Sequence, residues 1–108
     1  MNDDTSVAHI VVNGQSVPLS LFTELVATVP GLADHFQLKL CDVDGADHLR
    51  MVVEATPDAA IEEMKVQSAY RLCAAFERAT GIIADVHVAS PGAVKREVGV
   101  PYRILDER

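Results

Sequence analysis

The sequence predicts an α+β fold: a two-layer sandwich with a ferredoxin-like βαββαβ core and a closing C-terminal strand. Three observations carry this. The runs Asp34–Cys41 and His48–Ala55 alternate apolar and polar residues on either side of Asp44-Gly45, as the two arms of an antiparallel hairpin do. Leu19–Val29 and Ile61–Ala79 carry apolar residues at helical spacing. Short β-branched runs stand at Val7–Val12, before the first helix, and at Ile82–Val88, after the second.

In order along the chain, Val7–Val12 is the first strand, ended by Asn13-Gly14, and residues 13–17 read as a turn. Ser16 or Ser20 is placed to cap the first helix, and Pro18 sits where a first turn tolerates proline. Leu19, Phe22, Val26 and Val29 form its inner stripe, which Pro30-Gly31 ends. In the hairpin, Phe36, Leu38 and Leu40 share one face with Leu49, Met51, Val53 and Ala55. His35, Gln37, Lys39, His48, Arg50 and Glu54 take the other.

The second helix is expected to open at Thr56-Pro57, with Thr56 as N-cap and Glu62 and Glu63 suiting the positive end of its dipole. Ile61, Met64, Leu72, Phe76 and Ala79 make its inner stripe, and Gly81 stops it. In the strand that follows, Ile82, Ala84, Val86 and Val88 face inward, and Asp85 and His87 outward.

The chain has 108 residues, 49% of them hydrophobic and 23% charged, so residues 1–108 form one globular domain with a single core. Its formal net charge of −7 argues against nucleic acid and anionic membrane surfaces, both of which recruit cationic patches. At 5% aromatic residues with no Trp, there is little for a base-stacking platform. The acidic, polar start carries no secretory signal and no apolar run reaches membrane-spanning length. Two cysteines, Cys41 and Cys73, lack metal or redox spacing. These features together point to a cytoplasmic protein with free thiols.

The densest mixture of charge, glycine and extended pattern lies at the end: Pro91-Gly92, then Lys95-Arg96, Gly99, and a short strand around Tyr102–Leu105. This segment resembles the C-terminal end of phenylacetate–CoA ligases, within the AMP-forming acyl-CoA ligase superfamily. Pro91-Gly92 matches that family's turn, Arg96 its loop arginine, Gly99 its loop glycine and Arg103-Ile104-Leu105-Asp106 its closing strand. Upstream, Pro30–Leu38 resembles the family's helix end and following strand. The resemblance runs over roughly residues 10–108, which is only the family's small C-terminal lid domain. The closing residues 103–108 resemble the family's own terminus, so the end is not expected to be a truncation.

The departures are informative. Where the family has its catalytic lysine after the loop glycine, this chain has Val100. That lysine is understood to stabilise negative charge as carboxylate and ATP form an acyl-adenylate. Losing one such contact costs about 10²–10³ in rate, and valine cannot supply it. Pro101 stiffens the same place, and Glu97 and Val98 replace the family's serine and glutamate. Lys95 stands five positions from the lysine site, where the family has proline.

Lys95, Arg96, Arg103 and Arg108 form the one basic concentration; read functionally, some of them, with Gly99, meet phosphate of a nucleotide or CoA or the acidic rim of a partner, Arg96 first because it matches the family's loop, and read plainly they are solubilising charges on a terminal loop. ATP or AMP, or CoA, is the ligand class the resemblance implies; the residues themselves demand no cofactor. A second candidate surface is the open sheet face with His35, His48 and His87. Three imidazoles on neighbouring strands are a metal-binding possibility, but no HxH or HxxxH spacing supports one, so no metal is assigned. Solvated strand residues or a homodimer interface is the plainer reading. Asp42, Asp44 and Asp47 read as a hairpin turn, since they lack the ligand spacing of a calcium loop. Cys41 has no base beside it and Cys73 reads as near-core.

Three functions follow. The first is a stand-alone homologue of the ligase C-terminal domain, non-catalytic alone, acting with or regulating a separate adenylating subunit. The second is a small-molecule-binding regulatory module that dimerises through its sheet face. The third, an independent enzyme, comes last: no nucleophile–base pair, metal motif or phosphate-cradling loop is present.

Overall fold

The computed structural model describes residues 8–94 and 102–108. Within them the order is β1 (His9–Val12), β2 (Gln15–Pro18), α1 (Leu19–Thr28), β3 (Leu32–Val43), β4 (Ala46–Ala55), a 3-10 turn (Pro57–Ala59), α2 (Glu62–Thr80), β5 (Asp85–Ala89) and β6 (Tyr102–Asp106). The fold is α+β and ferredoxin-like, with α1 and α2 against a four-stranded sheet of order β5-β4-β3-β6. β3 and β4 are antiparallel, whereas β5 runs parallel to β4 and β6 parallel to β3.

The expected apolar faces of the first helix and the hairpin form the core, whereas in the second helix only Leu72 and Phe76 of the expected stripe are buried and Ala79 is exposed. Leu19, Phe22, Val26 and Val29 of the first helix are buried, as are Phe36, Leu38, Leu40, Leu49, Met51, Val53 and Ala55 of the hairpin. Phe22 stacks on Phe76 with ring centroids 5.1 Å apart and lies 6.2 Å from Phe36, which in turn stacks on Tyr102 at 6.0 Å. These offset contacts add to area burial, and they tie both helices to the inner strand and to the edge strand β6.

Three local expectations change. The first strand does not join the four-stranded sheet: β1 pairs with β2, within the stretch read as a turn. Asn13 (φ 50) and Gly14 (φ 82) make a two-residue hairpin turn with both φ positive, the backbone that Asn-Gly favours. Ile10, Val12 and Val17 of this hairpin are buried in the core. Second, α1 starts at a Pro18 N-cap with no side-chain cap, so neither Ser16 nor Ser20 serves. Third, the proline-led opening at Thr56 is a 3-10 turn, and α2 proper begins after Ile61.

Ile61 and Met64 are therefore exposed rather than inward. Small residues take their place at the start of the helix. Ser68 is buried and its hydroxyl donates to the Pro30 carbonyl (3.3 Å). A Cβ on Gly31 would sit 2.9 Å from the Ala59 Cβ. Gly81 ends α2 in the left-handed conformation, as its position predicted.

Gly31 also has φ +88. Gly31→Ala is expected to cost roughly 2–3 kcal/mol, combining the left-handed penalty with overpacking. Gly14→Ala, with φ +82 and open space around it, should cost about 1–2 kcal/mol, the backbone term alone. Urea unfolding of the two variants measures the difference; equal losses would show that the Ala59 contact is soft.

Candidate functional site

The connection from β5 to β6 begins with a tight turn. The Ala93 amide donates to the Ser90 carbonyl (3.1 Å), and Gly92 at φ +85 follows Pro91. Proline then a positive-φ glycine is the composition of a type II turn. The turn delivers Val94, which is buried with 6% exposure, to the corner of the sheet where β4 ends.

Glu54 receives it there. This carboxylate is itself buried, and its Oε2 accepts from the Val94 amide (3.0 Å) and from His35 Nε2 (3.0 Å). Burial pushes its pKa up, but hydrogen bonds from the Gly92 and Val94 amides and from His35 outweigh that and hold the carboxyl below its usual range. A buried carboxylate is costly unless so satisfied. Glu54 thus keeps its charge and uses it to fix the start of the connection.

The geometry behind this pair is an irregularity in β3. Leu32 faces Ala55 and Phe36 faces Val53, so β3 carries extra residues between them. His35 stays on the face opposite Phe36, beside Glu54. Sequence alternation placed both on that face as solvated residues; instead both are buried, because residues 90–94 cover this corner. Among the described residues His35 Nδ1 is buried without a hydrogen-bond partner, and the exposed Asp34 carboxylate lies 3.7 Å from it.

The three histidines do not converge. His48 and His87 are exposed, and His87 pairs with Val52, four residues along β4 from His48. That places them about 13 Å apart along the strand, and among the described residues no three His, Cys, Asp or Glu side chains are grouped to hold a metal ion. Lys95, Arg96 and Gly99, together with Val100 and Pro101, lie outside the described residues. Arg103 lies on β6 opposite Gln37, half-buried, on the same face as the Glu54 corner.

Arg108 belongs to a different structure. Its guanidinium bonds Asp106 (2.9 Å), Asp47 (3.1 Å) and the Val11 carbonyl. Asp47 also accepts from the Asn13 amide (2.7 Å). The chain end thus clamps the β1–β2 turn to the β3–β4 turn, and Asp106 is held below its usual pKa range by the Arg108 hydrogen bonds. A shallow cleft of about 170 Å³ lies between α2 and β5, lined in part by Lys65, Val66, Val86 and His87. Among the described residues no helix is long and apolar enough to cross a membrane.

A family model described as AMP-binding enzyme C-terminal domain matches residues 20–108. The chain belongs to that family. In solved structures it is similar to a domain of phenylacetate-coenzyme A ligase from Bacteroides vulgatus ATCC 8482, with TM-score 0.77 and 13% identity over 92% of this chain and 93% of that one. It is also similar to 2-hydroxyisobutyryl-CoA ligase in complex with 2-HIB-AMP and CoA in the thioesterification state, with TM-score 0.75 and 16% identity over 93% of this chain. An open conformation of that ligase matches at TM-score 0.69 and 17% identity over 92% of this chain. The chain spans only 21% of either ligase structure. At these identities the likeness is one of fold. No curated protein matches the chain at a significant level.

Glu54 was missed by reading the sequence. Its only local mark is a charged residue at the end of an apolar strand, and its partners lie 19 and 40 positions away.

The lowered Glu54 pKa makes a pH prediction. A depressed folded value contributes stability above the unfolded pKa, and that contribution is lost as pH falls through the folded value. Wild type should therefore exceed Glu54→Gln in stability at neutral pH, with the gap closing in acid. Denaturant titrations of both proteins across the acid range check this; a gap that widens in acid would contradict it.

Proposed function

We propose that this domain acts as the lid of an AMP-forming acyl-CoA ligase system, working on an ATP-binding body held by another polypeptide or another part of a longer chain, in the cytoplasm. On its own it makes no acyl-adenylate. The observation that carries this reading is the working end of the domain. A Pro-Gly turn, anchored at Val94 by the buried Glu54, leads directly into Lys95-Arg96. Family membership over residues 20–108 supports it, as does the small share of whole ligases that the chain spans.

In this reading Arg96, and with it Lys95, meets phosphate of the nucleotide or of CoA, or an acidic rim on the body. Gly99 lets the backbone come close, and Arg103 extends the basic surface along β6. A planar guanidinium is suited to phosphate because it donates two parallel bonds. Val100 supplies no cation where the resemblance places the lysine. The domain therefore contributes closure and anion contacts rather than charge stabilisation during adenylation.

A second reading is a small-molecule-binding module that dimerises through the sheet face. Its support is the exposure of His48 and Arg50 on that face. A stoichiometric adenylating partner recovered with the tagged chain favours the lid; recovery as a homodimer with a ligand-dependent stability shift favours the module.

The pure chain is expected to release no pyrophosphate from ATP with aromatic or short-chain carboxylic acids. Mixed with its adenylating body, Arg96→Ala should weaken association or CoA-dependent turnover about tenfold, as loss of one charged hydrogen bond does. Carboxylate-dependent pyrophosphate release by the chain alone would overturn the lid reading.

A further inference from the structure

We propose that two copies of this chain join edge to edge through β5, as an antiparallel β5–β5 pair flanked by the two α2 helices, about a two-fold axis at His87. The sheet order β5-β4-β3-β6 ends in β5 and β6, and among the described residues no strand lies beyond either. The two edges differ. β6 carries Arg103 and Asp106 and runs into Glu107 and Arg108, the charged kind of edge that resists pairing. β5 has one acid, Asp85, at its start, and Arg50 of the neighbouring strand engages it at 3.8 Å.

Apolar surface continues from the β5 edge onto α2. Val66 and Ala69 line the cleft together with Val86 and Val88. The Cys73 thiol donates to the Ala84 carbonyl (3.4 Å) just before β5, so this flank of the helix is turned to the edge. Tyr70 stands one turn from Val66 on the same flank. Val66, Tyr70 and, two residues before β5, Ile83 are 59%, 74% and 73% exposed. Large apolar side chains beside an unpaired strand mark an interaction surface. The outer sheet face suits one less well. Lys39 and Arg50 are cross-strand neighbours there, each beside an exposed acid, Glu107 or Asp85, and such charges are costly to desolvate.

The occupant is a second copy because β5 is its own complement. It reads Asp85-Val86-His87-Val88-Ala89, and Val86 and Val88 lie on the helix side, beside Met51 and Val53 of β4. Antiparallel pairing about His87 puts Val86 of each copy beside Val88 of the other. That makes two apolar cross-strand pairs of the kind that stabilise sheets. A β5 edge on a β6 edge would add copies without end, whereas β5 on β5 uses one patch twice, closes, and leaves only the charged edges outside. A strand of this length spans about 17 Å. With the α2 flank it is a small interface, which fits a reversible dimer. The surface is not the sheet face of the second reading above, and it does not depend on the lid.

Sedimentation velocity of the full chain from micromolar to millimolar concentration should show a monomer passing into a dimer. Val66→Glu and Tyr70→Glu, both at exposed positions, should each raise the dissociation constant about tenfold or more, since each places an unpaired carboxylate in the joint. Cross-linking reads the register. Opposed residues of an antiparallel pair have Cα atoms about 4.5–5.5 Å apart, within reach of a disulfide. His87→Cys in a Cys41→Ser, Cys73→Ser background should therefore give a covalent dimer with a mild oxidant, and His48→Cys in that background should not. His87 is exposed, so the cross-link still decides if a glutamate variant fails to fold.

A chain that stays monomeric throughout the range overturns the inference. So does a dimer indifferent to Val66→Glu and Tyr70→Glu, or one that cross-links at position 48 and not at 87. None of these measurements involves an adenylating partner, so a monomeric chain leaves the lid reading standing, and a failed partner assay leaves the β5 joint standing.

Discussion

The carboxylate of Glu54 links the sheet to the segment that leaves it. The sheet order β5-β4-β3-β6 puts the last two strands on opposite edges. The chain leaving β5 turns at Pro91-Gly92 onto the face away from the helices, and Glu54 meets it there. Burying that charge is tolerable because backbone amides and an imidazole surround it. A neutral acceptor would make weaker bonds to the same amides.

The platform under this anchor is held together by aromatic packing. Phe76, Phe22, Phe36 and Tyr102 form a continuous aromatic line from α2 to the edge strand β6. At the far end of the molecule, Arg108 joins the β1–β2 and β3–β4 turns through Asp47 and the Val11 carbonyl. Arg108, grouped by sequence with the basic residues of the loop, therefore serves the architecture. Position in the chain alone could not separate it from Arg96 or Arg103.

Membership in the AMP-binding enzyme C-terminal domain family and the anchored turn give the lid reading its form. Val100 shapes its content. A lid needs to close, exclude water and hold its partner's phosphates, and cationic side chains such as Lys95 and Arg96 suit the last of these. Adenylation needs a cation at the developing negative charge, and a valine side chain has none. Closure and adenylation are separable tasks, and the lid reading gives this chain the first.

Much of the fold was legible in the sequence. The helical stripe from Leu19 to Val29 and the alternation around Asp44-Gly45 are local patterns, set by side-chain spacing, and the core follows them. The Pro91-Gly92 turn was equally plain, since ring-fixed φ and a positive-φ glycine act within four residues. β2 was there to be read as well, because Asn13-Gly14 is itself a hairpin signal. The partners of Glu54 and His35 were not. Alternation correctly placed both on the face away from the helices, but whether that face is wet depends on what crosses it. The sequence by itself determined the two helices, the β3–β4 hairpin with its inward face, and the family resemblance. Only the tertiary structure decided which polar residues on the outer face became a buried anchor. Burial there depends on chain segments 40 positions apart meeting at one corner, and no local spacing encodes that meeting.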